Sequence, residues 1–326
     1  MRLSFSIAIV AVFFVACNQQ AVPGLLNAEP FASLTDSIRQ SPAEAELYYK
    51  RGLLLYQKDQ LSYAKEDIVK AWRLQPKEEY GLSLARLLEK KAIDSSILFL
   101  QVAARNHPQA VSLQVALARS YVKNGEDAKA IALCDTIVAK FPGQLDALLL
   151  KAEILSKNGE QAEATAVLER AYLLAPGDAD LAHTLGFHYA ENGNPKVLLL
   201  ADSLQKADLN GTHAEPLLLK GIYYYNQRKF DDAVKAFDAA IVIDYNFMDA
   251  HMYKGQVFYD LKKYTEAAKT FALVTSISPT YADGYFWLGK TQEALQDKPG
   301  AKLNYERAFG LDKELLEARA AAERLK

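Results

Sequence analysis

A small residue returns along this chain at a nearly constant interval: Gly52, Ala85, Ala118, Ala152, Gly186, Gly221, Gly255 and Gly289. The steps between them are 33, 33, 34, 34, 35, 34 and 34 residues. A period of this length belongs to stacked helical hairpins, each too small to bury its own apolar face alone. The 326 residues exceed the usual size of one hydrophobic core, and the regular step makes that length an array. Function then becomes a question of which partner is held, rather than which bond is broken.

Each unit carries two amphipathic stretches of about a dozen residues around a polar turn. The fourth unit is the clearest, with Asp146 to Ser156, the turn Lys157-Asn158-Gly159-Glu160, Ala162 to Leu174, and then Pro176. The same turn recurs as Lys123-Asn124-Gly125-Glu126 and as Glu191-Asn192-Gly193-Asn194. Glycine there is expected in the left-handed conformation that closes a helix. Proline stops the second helix at Pro76, Pro108, Pro142, Pro176 and Pro279.

The sixth unit reads Leu217, Gly221, Tyr224, Ala233, Phe237 and Ala240, and the seventh Gly255, Phe258, Ala267, Phe271 and Pro279. The eighth reads Tyr285, Leu288, Gly289, Ala301, Tyr305 and Ala308. This alternation of large, small and aromatic positions resembles the tetratricopeptide repeat (TPR). The resemblance implies an all-α, right-handed superhelical solenoid of about eight helix-turn-helix repeats over residues 43–312, with a C-terminal capping helix over 313–326. Two units depart from the pattern. The second, near Glu78 to Asn106, is a residue or two short, and the fifth is stretched between Asn194 and Thr212.

The start of the chain reads as a targeting signal. After Met1-Arg2, Leu3 to Ala16 is almost wholly apolar, too short to span a bilayer comfortably and suited to a secretory h-region. Phe14-Val15-Ala16-Cys17 resembles a bacterial lipobox, with Phe14 where leucine is usual. The resemblance implies a lipoprotein signal peptide over 1–16 and lipidation of Cys17. Residues 17–42 are then a tether with an N-terminal capping helix. No aspartate follows the cysteine, so the sorting rules imply the outer membrane, facing the periplasm. With Cys17 lipidated, Cys134 has no partner for an intrachain disulfide.

Composition narrows the remaining classes. Half of the residues are hydrophobic and the net charge is −2, with no basic stripe of the kind nucleic acid requires. His107, His183, His188, His213 and His251 lack metal-ligand spacing. No phosphate loop or nucleophile elbow is present. The expectation is a protein without catalysis, cofactor or metal.

The family resemblance also implies where a partner lies, because the first helix of each unit lines the inner face. The candidate protein- or peptide-binding residues are Phe187, Leu218, Ile222, Tyr225, Met252, Tyr259 and Phe286, an aromatic and apolar stretch. Arg86, Arg119 and Glu153 form a second, charged part of the groove. The reading that follows is a membrane-tethered adaptor that binds envelope proteins or peptides. The alternative is a helical-repeat lipoprotein that captures a glycan or nutrient beside an outer-membrane transporter.

Overall fold

The computed structural model describes residues 24–325, so the signal peptide and Cys17 lie outside the described residues. Every regular element among the described residues is helical. A 3₁₀ turn at Gly24–Asn27 and helix α1 (Ala32–Gln40) come first. Eight helix pairs follow. They are α2 (Ala45–Gln57) with α3 (Leu61–Leu74), α4 (Glu78–Lys91) with α5 (Ile93–Asn106), α6 (Val111–Lys123) with α7 (Asp127–Lys140), and α8 (Leu145–Lys157) with α9 (Gln161–Leu174). Then come α10 (Ala179–Glu191) with α11 (Lys196–Ala207), α12 (Glu215–Asn226) with α13 (Phe230–Ile243), α14 (Met248–Asp260) with α15 (Tyr264–Ile277), and α16 (Ala282–Ala294) with α17 (Lys298–Leu311). Helix α18 (Leu316–Arg324) ends the series. The chain divides into two compact units, one up to Leu133 and one from Cys134.

The turns show how the period is written into the backbone. Seven of the eight pairs turn through one residue of positive φ: Asp59, Gly125, Gly159, Gly193, Arg228, Lys262 and Gln296. The next residue's N–H then donates to the carbonyl five positions back, as in Gln60 to Leu55 (2.8 Å), Glu160 to Leu155 (2.9 Å) and Lys263 to Phe258 (2.8 Å). This bond satisfies a carbonyl that the helix end would otherwise orphan. Glycine takes the left-handed conformation freely, whereas Asp59, Arg228, Lys262 and Gln296 bear a steric cost there. The eighth pair is different: α4 and α5 are joined by Ala92 alone, which is extended at φ −163°. The fifth unit departs at its far end, where residues 208–214 separate α11 from α12.

The recurring small residue marks where paired helices cross. A Cβ on Gly255 would lie 2.5 Å from the Phe271 ring, and one on Gly289 would lie 2.9 Å from the Tyr305 ring. Gly221 sits in the same way against Phe237. Phe237, Phe271 and Tyr305 are fully or almost fully buried, so the missing methyl is what lets the ring fill the crossing. Cys134 carries a buried thiol in the equivalent slot of its own repeat. In the first unit of the chain, Phe31, Tyr49, Leu55, Ile68 and Tyr80 form one core. In the second unit, one core gathers around Phe271 and Val274, and another around Tyr285 and Tyr305 with Ala318 and Ala322 of α18.

In three repeats a polar side chain four before the small residue closes the loop ahead of its helix. His251 Nε2–H donates to the Tyr245 carbonyl (2.8 Å), Gln114 to Pro108 (2.9 Å), and the Tyr48 hydroxyl to Pro42 (3.1 Å). His251 is thereby a structural residue, buried and committed to backbone.

Candidate functional site

The inner-face candidates of the second unit fall on α10, α12, α14 and α16. Four of them, Phe187, Tyr225, Tyr259 and Phe286, are partly exposed. Leu218 and Ile222 are 0 % exposed and Met252 is 5 % exposed, so these three are floor beneath the groove and not surface. Hydrogen bonds tie these first helices together, one of them reaching past α12 from α14 to α10. The Tyr253 hydroxyl of α14 donates to Glu191 of α10 (2.6 Å), and Asn226 of α12 donates to the Ala190 carbonyl (3.0 Å). Helices drawn together this way leave no room above residues on the crossing side.

Tyr253 and Trp287 are not among the residues the sequence pointed to. Each lies two residues before its small residue, 34 positions apart, and that recurrence was the available signal. Tyr253 stacks on Phe237 at 5.8 Å between ring centroids and meets Tyr225 edge-on at 6.4 Å. Trp287 stacks on Phe271 at 5.7 Å and meets Tyr259 edge-on at 5.6 Å. The Lys290 ammonium stands 4.1 Å from the Trp287 centroid, 5.5 Å from Phe286 and 5.7 Å from Tyr259. A cation over ring faces is held by their quadrupoles, so Tyr259, Phe286, Trp287 and Lys290 form one cluster. Phe187 lies apart from it, packed on His183 at 4.6 Å.

Charge is unevenly spread over these helices. The Tyr225 hydroxyl donates to Asp260 (2.8 Å). Burial, reinforced by their carboxylate acceptors, pushes the Tyr225 and Tyr253 phenols above their ordinary range, so both remain donors. Burial raises the Asp249 carboxyl and lowers the His183 imidazole, and the attraction between the two opposes both shifts. His183 also contacts Glu215. The carboxylates Glu191, Glu215, Asp249 and Asp260 thus stand on α10, α12 and α14, while Lys290 adds positive charge on α16.

The charged candidates are exposed side chains on two different compact units, Arg86 and Arg119 on the first and Glu153 on the second. Near Arg86, Glu89 pairs with Lys123 at 2.5 Å.

One polar constellation on the inner face has the residue types of a nucleophile and a base. The Ser156 hydroxyl lies 2.8 Å from His188 Nε2, but Nδ1 faces Thr165 (3.0 Å) and not a carboxylate. Burial lowers the His188 imidazole. Nothing in the arrangement orients or strengthens a base as a triad's third member does, and the network reads as satisfied packing between α8, α9 and α10. Among the described residues no three His, Cys, Asp or Glu side chains gather to hold a metal ion. No described helix is long and apolar enough to cross a membrane.

Comparison with known proteins agrees with the hairpin geometry. A tetratricopeptide repeat family model matches residues 94–144, 115–179 and 218–282. No curated protein matches the sequence. Among solved structures, a tetratricopeptide repeat protein from Parabacteroides merdae superposes with a TM-score of 0.59 at 14% identity, covering 86% of this chain and 98% of that one. PilW, a type IV pilus biogenesis factor, aligns at 19% identity over 62% of this chain and 93% of its own, with a TM-score of 0.47. The first TPR of Spaghetti (RPAP3), solved with an HSP90 peptide, aligns at 26% identity over 35% of this chain and 90% of its own, with a TM-score of 0.34. The last two overlap too loosely to carry more than the likeness itself. With its repeated glycine–aromatic crossings, its closed turns and the matching family model, this chain is a tetratricopeptide repeat protein, a scaffold of the kind that mediates protein–protein interactions.

Proposed function

We propose that this protein is a non-catalytic adaptor of a bacterial envelope, tethered by lipid at Cys17 to the outer membrane and facing the periplasm. Its groove along α10, α12, α14 and α16 takes a protein or peptide segment. The observation that carries the reading is the set of partly exposed aromatic residues Phe187, Tyr225, Tyr259 and Phe286 on four successive first helices. Aromatic anchors bury large areas at small entropic cost and dominate binding energy where they cluster. The lipid anchor is supported by the apolar run from Leu3 to Ala16 before Cys17. Several acyl chains would hold the protein stably at a bilayer. Envelope proteins near the membrane are the partners this placement favours.

In-cell crosslinking of tagged protein, followed by mass spectrometry, tests the groove. Specific envelope proteins are expected with the native chain and should vanish with Tyr225→Ala/Tyr259→Ala, once circular dichroism shows retained helicity. An unchanged catch would place binding elsewhere on the array. Cys17→Ser is expected to move the protein from the membrane to the soluble fraction. Sedimentation of that variant with membranes would overturn the anchor.

A further inference from the structure

The short second repeat coincides with a surface feature that the groove reading leaves unused. A cleft of about 740 Å³ opens between α3 and the C-terminal end of α4, the helix that ends at the one-residue link Ala92. Its floor is apolar, from Leu61, Val69 and Leu87. Its rim is basic, with Lys65, Arg73 and Lys91 exposed and Glu66 the single acid lining it. None of the three cations has an ion-pair partner among the described residues. A second cleft of about 390 Å³ continues along the same wall, sharing Lys65, Val69 and Arg73 and reaching Trp72, Phe99 and Val102. Beside it, α5 leaves Leu98 and Val102 more than half exposed, one helical turn apart.

We propose that this double cleft docks an acidic amphipathic segment of a partner protein, independently of the aromatic groove. Lys65, Val69 and Arg73 follow one another at four-residue intervals, which places them on one face of α3. Lys65 and Arg73 are then about 12 Å apart along the helix axis. One phospholipid headgroup reaches one of these positions and not both. A peptide with carboxylates two helical turns apart reaches both, and the apolar residues between them meet Val69 and the cleft floor. Unpaired rim cations steer an anionic partner inward, and the apolar floor retains it. Lys90 is engaged elsewhere, over the Tyr56 ring at 4.4 Å, so the recognition rests on Lys65, Arg73 and Lys91.

The test is selection of random peptides of about 16 residues, displayed on phage, against the full chain purified in detergent. Expected winners carry Asp or Glu about two turns apart with Leu or Phe between them. A fluorescein-labelled winner should lose at least about tenfold in affinity for Lys65→Glu/Arg73→Glu, and should weaken as salt rises from about 50 to about 300 mM. Binding should be unchanged by Tyr225→Ala/Tyr259→Ala and by Lys298→Glu on α17. Both reversed residues are exposed, and an unchanged thermal melt confirms that the variant is folded. Winners without acids, or binding indifferent to Lys65→Glu/Arg73→Glu, would overturn the proposal. So would tight binding of phosphatidylglycerol vesicles by a chain that ignores the acidic peptides.

Discussion

Arg51 and Lys254 occupy the same place in their repeats, immediately before Gly52 and Gly255, yet they reach opposite ways. Arg51 turns to its own hairpin and grips Asp67 of α3 through two bonds of 2.7 Å, both side chains being less than a tenth exposed. Lys254 turns back to Asp238 of the preceding hairpin, a 2.5 Å pair whose carboxylate is half exposed. Lys151 with Asp135, and Lys220 with Asp202, follow the Lys254 pattern. The difference lies in what precedes each hairpin. An interior repeat has an earlier second helix to bridge to. The first repeat has only α1, and Arg51 meets it through the Thr35 hydroxyl at 3.0 Å. One position thus makes a buried seal at the end of the array and a solvated bridge inside it.

The largest effect should come from breaking the seal. Asp67→Asn leaves the Arg51 guanidinium buried without its counter-charge, and loss of one partner of a buried pair costs about 3–5 kcal/mol. Arrays open locally, so the measurement is hydrogen exchange resolved by helix, with protection falling in α1 to α3 and holding in α14 to α17. Arg51→Met/Asp67→Leu should recover most of the loss, since well-packed apolar replacements of a buried pair are often neutral. If Asp67→Asn costs no more than an exposed pair, the two regions are not different in kind.

Thr35→Val comes next. Its hydroxyl is buried, donates to the Leu26 carbonyl (2.6 Å) and receives a bond from Arg51. Removing it strands both partners at a cost of about 1–3 kcal/mol. Exchange should quicken first in α1, because Thr35 is the polar link between α1 and the first hairpin. Loss confined to α3 would place the seal elsewhere.

Much of the array was legible in the sequence because its signals are local. Glycines 125, 159 and 193 announced their turns, and Gly221, Gly255 and Gly289 announced their crossings. The turns at Asp59, Arg228, Lys262 and Gln296 were not announced, because the left-handed residue there is held by helix-closing bonds and not by its own preference. Arg228→Gly should therefore stabilise its repeat by about 1 kcal/mol in urea unfolding; no gain would mean that the side chain offsets the strain. The candidate site was less legible. Counting along one helix put Leu218, Ile222 and Met252 beside Tyr225 and Tyr259, but their burial depends on neighbouring helices, which no single-helix pattern contains. Tyr253 and Trp287 recur 34 positions apart, but only the neighbouring rings that they interlock with show why they matter.

The solvated bridges should give the smallest effects and the sharpest contrast with Asp67. Lys254→Met is expected to change stability by about 0.2–1 kcal/mol, since a half-exposed pair gains little over water. The equivalent pair on Lys220 adds a pH signature. Its hydrogen bond and charge hold the Asp202 carboxyl below its ordinary value of 3.8. A lowered carboxyl stabilises the fold above its unfolded pKa, and that contribution is lost as pH falls through the folded value. The stability difference between native chain and Lys220→Met should thus be present at neutral pH and close only below about 3.8. Urea midpoints compared at neutral pH and below that value provide the check. A difference that persisted in acid would show that Lys220 acts through the packing of its largely buried methylene stem and its bond to the neutral Gln205 amide (2.5 Å), and not through Asp202. The Lys220 bridge would then hold by contacts that do not need the carboxylate, and the comparison with Arg51 would become one of two kinds of burial.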